Sequence, residues 1–355
     1  MDNLTHTLAG LLLGAALPAD DGRGLPLKAR AAFCALATNL PDLDGLVALG
    51  ALPFEALNLH RGISHSFVMA PLWGTLAGVL GWLALRRRHR LAEFIVLGIA
   101  SFLLHDALDL LTSYGTQIFA PFSTRAHSLP LLFIFDPYLW LLLATGAFVA
   151  WRRESVALAR GGLVVLTAYV ALCGGLMLRA ESVAAQQAER QGLAHDVLVR
   201  PQPLSPAHWK IVVVDGDRYH TSYLDLFGTT PREPVRLDAP MLEQVWGAYQ
   251  PADHLEWTHR HRYGAEPLMR GFARFAWGRE ELAEFRRFAL LPQLYSVSNQ
   301  SEERGCAWFT DLRFEIRSVP NPFVAGLCHG PDGDQLSKSV GWEIASAAGP
   351  PARGL

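Results

Sequence analysis

Two stretches of the chain, FVMAPLWGTLAGVLGWLAL (67–85) and GLVVLTAYVALCGGLML (162–178), are apolar almost without interruption. Each approaches the ~20 residues with which a helix crosses the hydrocarbon core of a bilayer. Four further stretches, 4–17, 31–52, 91–111 and 129–151, are apolar but carry polar side chains within them. Beyond about Arg179 the pattern changes to mixed polar sequence. There HWKIVVVDGDRYHTSYLDLF reads as two strands around an Asp-Gly turn, CAWFTDLRFEI as another strand and EELAEFRRFALLPQL as an amphipathic helix. The pattern predicts a mainly α membrane protein, with a transmembrane domain of about six helices over 1–180 and a soluble α+β domain over 181–355.

Composition agrees with the membrane reading. Half of the 355 residues are hydrophobic, 18% are charged and the mean hydropathy is +0.17, which is apolar for a soluble chain of this length. A net charge of −2 provides no basic field, so nucleic acid is not an expected partner. The four cysteines form no CxxC pair, which argues against a thiolate zinc site and leaves His and carboxylates as metal ligands. The opening MDNLTHTLAGLLLGAAL lacks a positive n-region and is expected to be retained rather than cleaved.

Basic residues in short loops set the expected orientation. Arg23, Lys28 and Arg30, then Arg86, Arg87, Arg88 and Arg90, then Arg152, Arg153 and Arg160 follow alternate spans, against only Arg61 and Arg125 in the other loops. With an even span count, the 53–66 and 112–128 loops and the whole C-terminal domain lie outside the cytoplasm. On that reading the polar residues inside the apolar stretches gather on one side. His6, Asn39, Asp42, Asp44, His105, Asp106, Asp109 and Asp136 all fall toward the outer ends, beside His60, Arg61 and His65 in the outer loop. An ionisable residue in a span costs about 2.5 to 3.5 kcal/mol on insertion scales, so a concentration at one depth marks a candidate site.

The residue types suit a divalent ion. His105 and Asp109 are four apart, on one helix face, where imidazole and carboxylate can bind the same ion. His60 and His65 are five apart, and a turn at Gly62 would bring both toward a common centre. In NLPDLD, Pro41 breaks the helical ladder and sets two carboxylates at alternate positions. Nitrogen and oxygen donors without sulfur favour zinc, with manganese or a second ion open. Taken singly, each residue also has a structural reading: His6 as a helix cap, Arg61 as a headgroup anchor, the His105/Asp109 pair as an interhelical hydrogen bond. Asp106, roughly 100° around the helix from His105, is either an outer partner of the ligands or paired elsewhere.

MDNLTHTLAG, NLPDLD, HRGISHS and HDALDLLTSYGT, in this order, resemble the YdjM-like family of bacterial inner-membrane metal-dependent hydrolases. The resemblance is dense over 1–140 and thinner beyond. That family is distantly similar to the zinc-dependent phospholipase C and nuclease group, whose helical sites combine an early His, an Asp and HxxxD pairs around clustered zinc ions. The resemblance implies His6, Asp44, His65, His105 and Asp109 as ligands, with His60 and Asp42 as further candidates. This chain has one HxxxD pair, so one or two ions are expected rather than three.

The expected chemistry is metal-assisted hydrolysis of a phosphodiester or other ester, the ion lowering the pKa of its water toward ~7 and polarising the ester oxygen. Asp42 or Asp106 would accept the proton and Arg61 would pair with a phosphate oxygen. A site beside the outer face of the bilayer favours a lipid or lipid-linked substrate. The competing reading is a metal-stabilised membrane scaffold whose outer domain binds a partner. A transporter ranks last, because the inner halves of the spans offer little beyond Glu93. In the C-terminal domain His254, His259 and His261 form either a metal tract or a solvated interfacial segment, and Cys306 and Cys328 either a disulfide or two separate thiols.

Overall fold

In the computed structural model the described residues are 1–18, 24–48, 55–85, 90–193, 196–233, 235–236, 238–301, 304–330 and 333–340. Arg23 and Arg86, Arg87 and Arg88, on which the orientation reading draws, lie outside them. The chain forms two compact units, the first made mainly of residues up to Gly175 and the second mainly of those from Leu176.

The first unit is helical. In chain order come α1 (Asn3–Ala16), α2 (Leu27–Ala37), a 3₁₀ turn at Pro41–Leu43, α3 (Asp44–Ala48), α4 (Glu55–Leu59), most of which groups with the second unit, a 3₁₀ turn at Ile63–His65, α5 (Ala70–Ala84), α6 (Leu91–Leu110), α7 (Pro137–Arg153) and the first part of α8 (Val156–Arg190). Asp2 caps α1, its carboxylate accepting from the Thr5 amide at 3.1 Å and the Thr5 hydroxyl at 2.6 Å. α1 packs on α2 and α7, and α5 on α6. The α5–α6 contact requires glycine: a Cβ on Gly98 would collide with the Gly74 carbonyl, and one on Gly74 with the Ile99 backbone. Small residues bring helix backbones together in this way in bilayers, where apolar burial alone gives little net drive. Leu72, Leu76 and Leu80 on α5, Leu141 and Phe148 on α7, and Val164 and Leu172 on α8 point outward, a surface suited to lipid.

The six expected spans reduce to two or three. α6 and α8 are long and apolar enough to cross a membrane, and residues 55–65 with α5 make a third only if counted as one span bent by 75°. α1, α2 and α7 have 14, 11 and 17 residues. At 1.5 Å per residue they are about 21, 17 and 26 Å long, short of the roughly 30 Å hydrocarbon core. Apolar content overcounted because it does not register where a helix stops. α2 ends at Ala37, before Pro41, and the 129–151 stretch becomes helical only at Pro137. Asp136 starts that helix as its cap, accepting from the Tyr138 and Leu139 amides at 3.0 Å and from the Tyr169 hydroxyl at 2.7 Å.

The second unit holds two antiparallel four-stranded meanders. The first runs β1 (Asp196–Pro201), β2 (His208–Asp215), β3 (Arg218–Asp225) and β4 (Thr258–His261), and the second β5 (Pro292–Ser301), β6 (Arg304–Asp311), β7 (Phe323–Gly330) and β8 (Gly333–Val340). α9 (Met241–Gly247), α10 (Pro267–Gly278) and α11 (Ala283–Phe288) fill the connections. The Asp-Gly turn joins β2 to β3, with Gly216 at φ +59°, a left-handed conformation that glycine adopts at low cost. β2 is buried on both faces. Trp209, Ile211 and Val213 pack with Leu176, Ala180, Ala184 and Ala188 of α8, while Val212 packs with Leu291 and Leu312. Lys210 is buried among them and donates to the Leu312 carbonyl and a Glu315 carboxylate oxygen, each at 2.8 Å. Burial pulls its ammonium below the ordinary lysine value, with Glu315 acting against the shift.

Three local expectations are adjusted. The strand in CAWFTDLRFEI ends at Asp311 and passes into a 3₁₀ turn, Leu312–Phe314. Of EELAEFRRFALLPQL only Ala283–Phe288 is α-helical, since the chain enters β5 at Pro292. Cys306 and Cys328 face each other across β6 and β7 and form a disulfide.

Candidate metal centre

α6 sets His105 and Asp109 one turn apart on its buried face, as their spacing requires. His105 Nδ1 lies 2.6 Å from the Thr38 carbonyl oxygen. A carbonyl can only accept, so Nδ1 carries the proton and Nε2 presents a lone pair. That lone pair faces Asp109 Oδ2 at 3.6 Å and Asp42 Oδ1 at 3.7 Å. A lone pair and two carboxylates directed at one point repel each other unless a cation lies between them.

The other ligands arrive on two short turns. Pro41 opens a 3₁₀ turn that carries Asp42, and the Ile63–His65 turn carries His65. His65 Nε2 lies 3.2 Å from Asp42 Oδ1 and 3.4 Å from Asp109 Oδ2. The ligand atoms of Asp42, His65, His105 and Asp109 are all within 4.8 Å of one another. Ligands about 2.1 Å from a tetrahedral zinc lie about 3.4 Å apart, close to the 3.2 to 3.7 Å of the four His–Asp pairs. Asp42 Oδ2, Asp109 Oδ2, His105 Nε2 and both ring nitrogens of His6 are buried without a hydrogen-bond partner. His6 stands at the margin, its Nε2 3.3 Å from Asp109 Oδ1 and its ring stacked on His105 at 3.8 Å. The amino group of Met1 also contacts Asp109 Oδ1. This donor set, nitrogen and oxygen around one point, fits a zinc or manganese ion.

Asp44 organises the turn that delivers His65. Its Oδ2 accepts from the Ser64 hydroxyl at 2.6 Å and the Arg61 amide at 3.2 Å, and lies 3.2 Å from His65 Nδ1. Its Oδ1 lies 2.8 Å from His60 Nδ1. Asp44, His60 and His65 make a second group able to hold an ion. Arg61 adopts φ 62°, a left-handed conformation that costs a non-glycine residue about 1–2 kcal/mol. It is held there by the bond from its amide to Asp44 and by the Gln117 amide donating to its carbonyl at 2.9 Å. Arg61 is 2% exposed, with Nε 2.9 Å from Asp109 Oδ2, Nη1 donating to the Thr112 hydroxyl at 2.8 Å and the guanidinium over the Tyr114 ring.

The centre is closed on most sides. His6, His65, His105 and Asp109 side chains are fully buried, whereas Asp42 and Asp44 are 14% and 13% exposed and His60 is 30% exposed, so the approach from outside passes them. Asp106 is buried with neither carboxylate oxygen hydrogen-bonded, and stands outside both ligand groups. Asp136 is a helix cap and does not join the cluster. His254, His259 and His261 do not enter either metal-capable group among the described residues; His259 Nδ1 instead meets His220 Nδ1 at 2.7 Å. Thr38, Ser64, Thr112 and Tyr114 went unassigned in the sequence. For the last two the available signal is their position in TSYGT, within one or two turns of the HxxxD pair.

The chain is 26% identical over 249 residues to the uncharacterized protein YfhP of Bacillus subtilis (strain 168), an alignment covering 65% of this chain and 73% of that protein. No solved structure matches it. Residues 1–180, which carry every member of the cluster, match the family described as YdjM inner membrane protein, and the chain belongs to that family.

Proposed function

We propose that this protein is a metal-dependent hydrolase of the bacterial inner membrane that cleaves a phosphodiester or other ester of a lipid or lipid-linked substrate at the outer face. The observation that carries this reading is the convergence of Asp42, His65, His105 and Asp109, with His105 Nε2 and Asp109 Oδ2 buried and without a hydrogen-bond partner. In it Asp42, His65, His105 and Asp109 would hold one ion, with His6 as an additional ligand, and Asp44 would orient His65 through Nδ1. When bound, the ion would polarise an ester oxygen and acidify water at the site. Asp106, buried and without a hydrogen bond, is the proton acceptor in this scheme. Arg61 steadies the Asp109 carboxylate, and its guanidinium would pair with a phosphate oxygen of the substrate.

The alternative, a metal-stabilised scaffold, draws on the complete burial of four of the candidate ligands, since structural sites are closed. The partly exposed Asp42, Asp44 and His60 edge favours the hydrolase. The reconstituted protein should hydrolyse an aryl phosphodiester or phospholipid vesicles, lose that activity to a chelator and recover it with zinc or manganese. Tight metal with no turnover on any ester, together with a lower melting temperature after stripping, supports the scaffold instead.

Orientation extends the same proposal. α6 and α8 each follow a basic segment, Arg90 and then Arg152, Arg153 and Arg160. On this reading both start from the cytoplasmic side, with residues 111–155 connecting them. A reporter fused after residue 185 should be active only in an extracytoplasmic format; cytoplasmic activity there defeats the outward-facing site.

A further inference from the structure

α10 lies far in sequence from the metal ligands and carries an unusual surface. Ala273 and Ala276 form its buried edge. Leu268 and Phe275, seven positions and about two turns apart, share a strip where they are 86% and 52% exposed. Arg270 and Arg274, four apart, share another exposed strip, with Gly271 and Gly278 between the two. A large exposed apolar strip beside arginines is the composition of a helix that lies in the headgroup plane of a bilayer. Arg279 adds a cation to the apolar edge, its guanidinium over the Phe275 ring.

The arginine strip borders a recess of about 400 Å³ whose walls include Asp215, Asp217, Arg218 and His261. Both carboxylates are already engaged: Asp217 accepts from Arg274 at 2.7 Å, and Asp215 pairs with Arg218. Arg270 donates to the backbone carbonyls of Gly264 and Ala265 at 3.3 and 2.7 Å, with no ion pair to a carboxylate among the described residues. Three arginines against two carboxylates leave Arg270 as the excess cation at the mouth of the recess, with an apolar strip on the same helix.

We infer that α10 docks on an anionic phospholipid surface, Leu268 and Phe275 entering the boundary between headgroups and acyl chains while Arg270 and Arg274 receive lipid phosphates at the mouth of the recess. Charge complementarity selects the occupant, and a protein of an inner-membrane family always has a bilayer at hand. The glycine strip presents no knob for a shaped partner, whereas a fluid lipid surface requires none. The inference does not rest on the metal centre.

The test is amide exchange of the full chain in nanodiscs of phosphatidylcholine alone, of phosphatidylcholine with phosphatidylglycerol, and of phosphatidylcholine with dissolved glycerol 3-phosphate. Exchange over 268–278 should slow severalfold only with phosphatidylglycerol and return on raising salt. Leu268→Ser with Phe275→Ser, and separately Arg270→Gln with Arg274→Gln, should abolish the slowing while the β2 amides stay unchanged as a control for folding. Equal exchange in the two kinds of disc overturns the inference. So does slowing by dissolved glycerol 3-phosphate that survives Leu268→Ser with Phe275→Ser, which marks a soluble-anion site, or slowing that follows protein concentration rather than lipid, which marks self-association.

Discussion

His105→Ala and Asp109→Asn should each strip the purified protein of the metal proposed for this centre. Each removes a donor from the group whose atoms lie within 4.8 Å of one another, and Asp109→Asn also leaves the Arg61 guanidinium facing a neutral amide. Loss of an outer partner typically costs 10- to 100-fold in metal affinity, so loss of a ligand should cost roughly 100-fold or more. Asp44→Asn is the graded comparison. It keeps the four ligands but weakens the hold on His65 Nδ1 and the Ser64 hydroxyl, and should lower affinity by about 10- to 100-fold. Asp136→Asn should leave metal content unchanged, because that carboxylate caps α7. Metal titration by mass spectrometry of the washed protein reads all four. Full occupancy in His105→Ala would reduce the cluster to a hydrogen-bonded helix junction and take the hydrolase reading with it.

Trp209→Ala destabilises the second unit by about 3–5 kcal/mol, the range for deleting a fully buried tryptophan. The indole fills the space between β2 and the alanine row of α8, where Ala180, Ala184 and Ala188 offer no side chain long enough to collapse into the gap. Chemical denaturation followed by amide exchange of β2 and β3 measures the loss. A shift below about 1 kcal/mol would mean that the helix end does not pack there as described. Trp209→Phe, which keeps most of the apolar volume, should fall well short of the alanine value.

The metal centre divides along the reach of its signals. HDALD fixed His105 and Asp109 on one face because four residues make one helical turn, and the structure keeps them there. Pro41 marked the break that brings a carboxylate into the cluster. The sequence reading puts Asp44 among the ligands and Asp42 as a further candidate or proton acceptor, whereas the structure sets Asp42 in the four-residue group and Asp44 with His60 and His65. The two aspartates differ in role because one faces His65 Nε2 and the other Nδ1, and that depends on the left-handed backbone at Arg61. Arg61 meets Asp109 and Thr112, a pairing across 48 and 51 residues that no local pattern encodes.

The sequence by itself determined whatever is settled within a turn or two of chain: an apolar, membrane-type N-terminal region, the Asp-Gly hairpin of β2 and β3, and the histidines and carboxylates that could meet. Tertiary structure decided the rest. It set two or three membrane-length helices in place of six, since an apolar helix packed between neighbours has the same composition as one facing lipid. It closed Cys306 onto Cys328 through strand register. It drew the ligands of α6 and two distant turns to one point by letting helices approach at glycine, as at Gly74 and Gly98, a consequence of backbone distance that hydrophobic periodicity does not record.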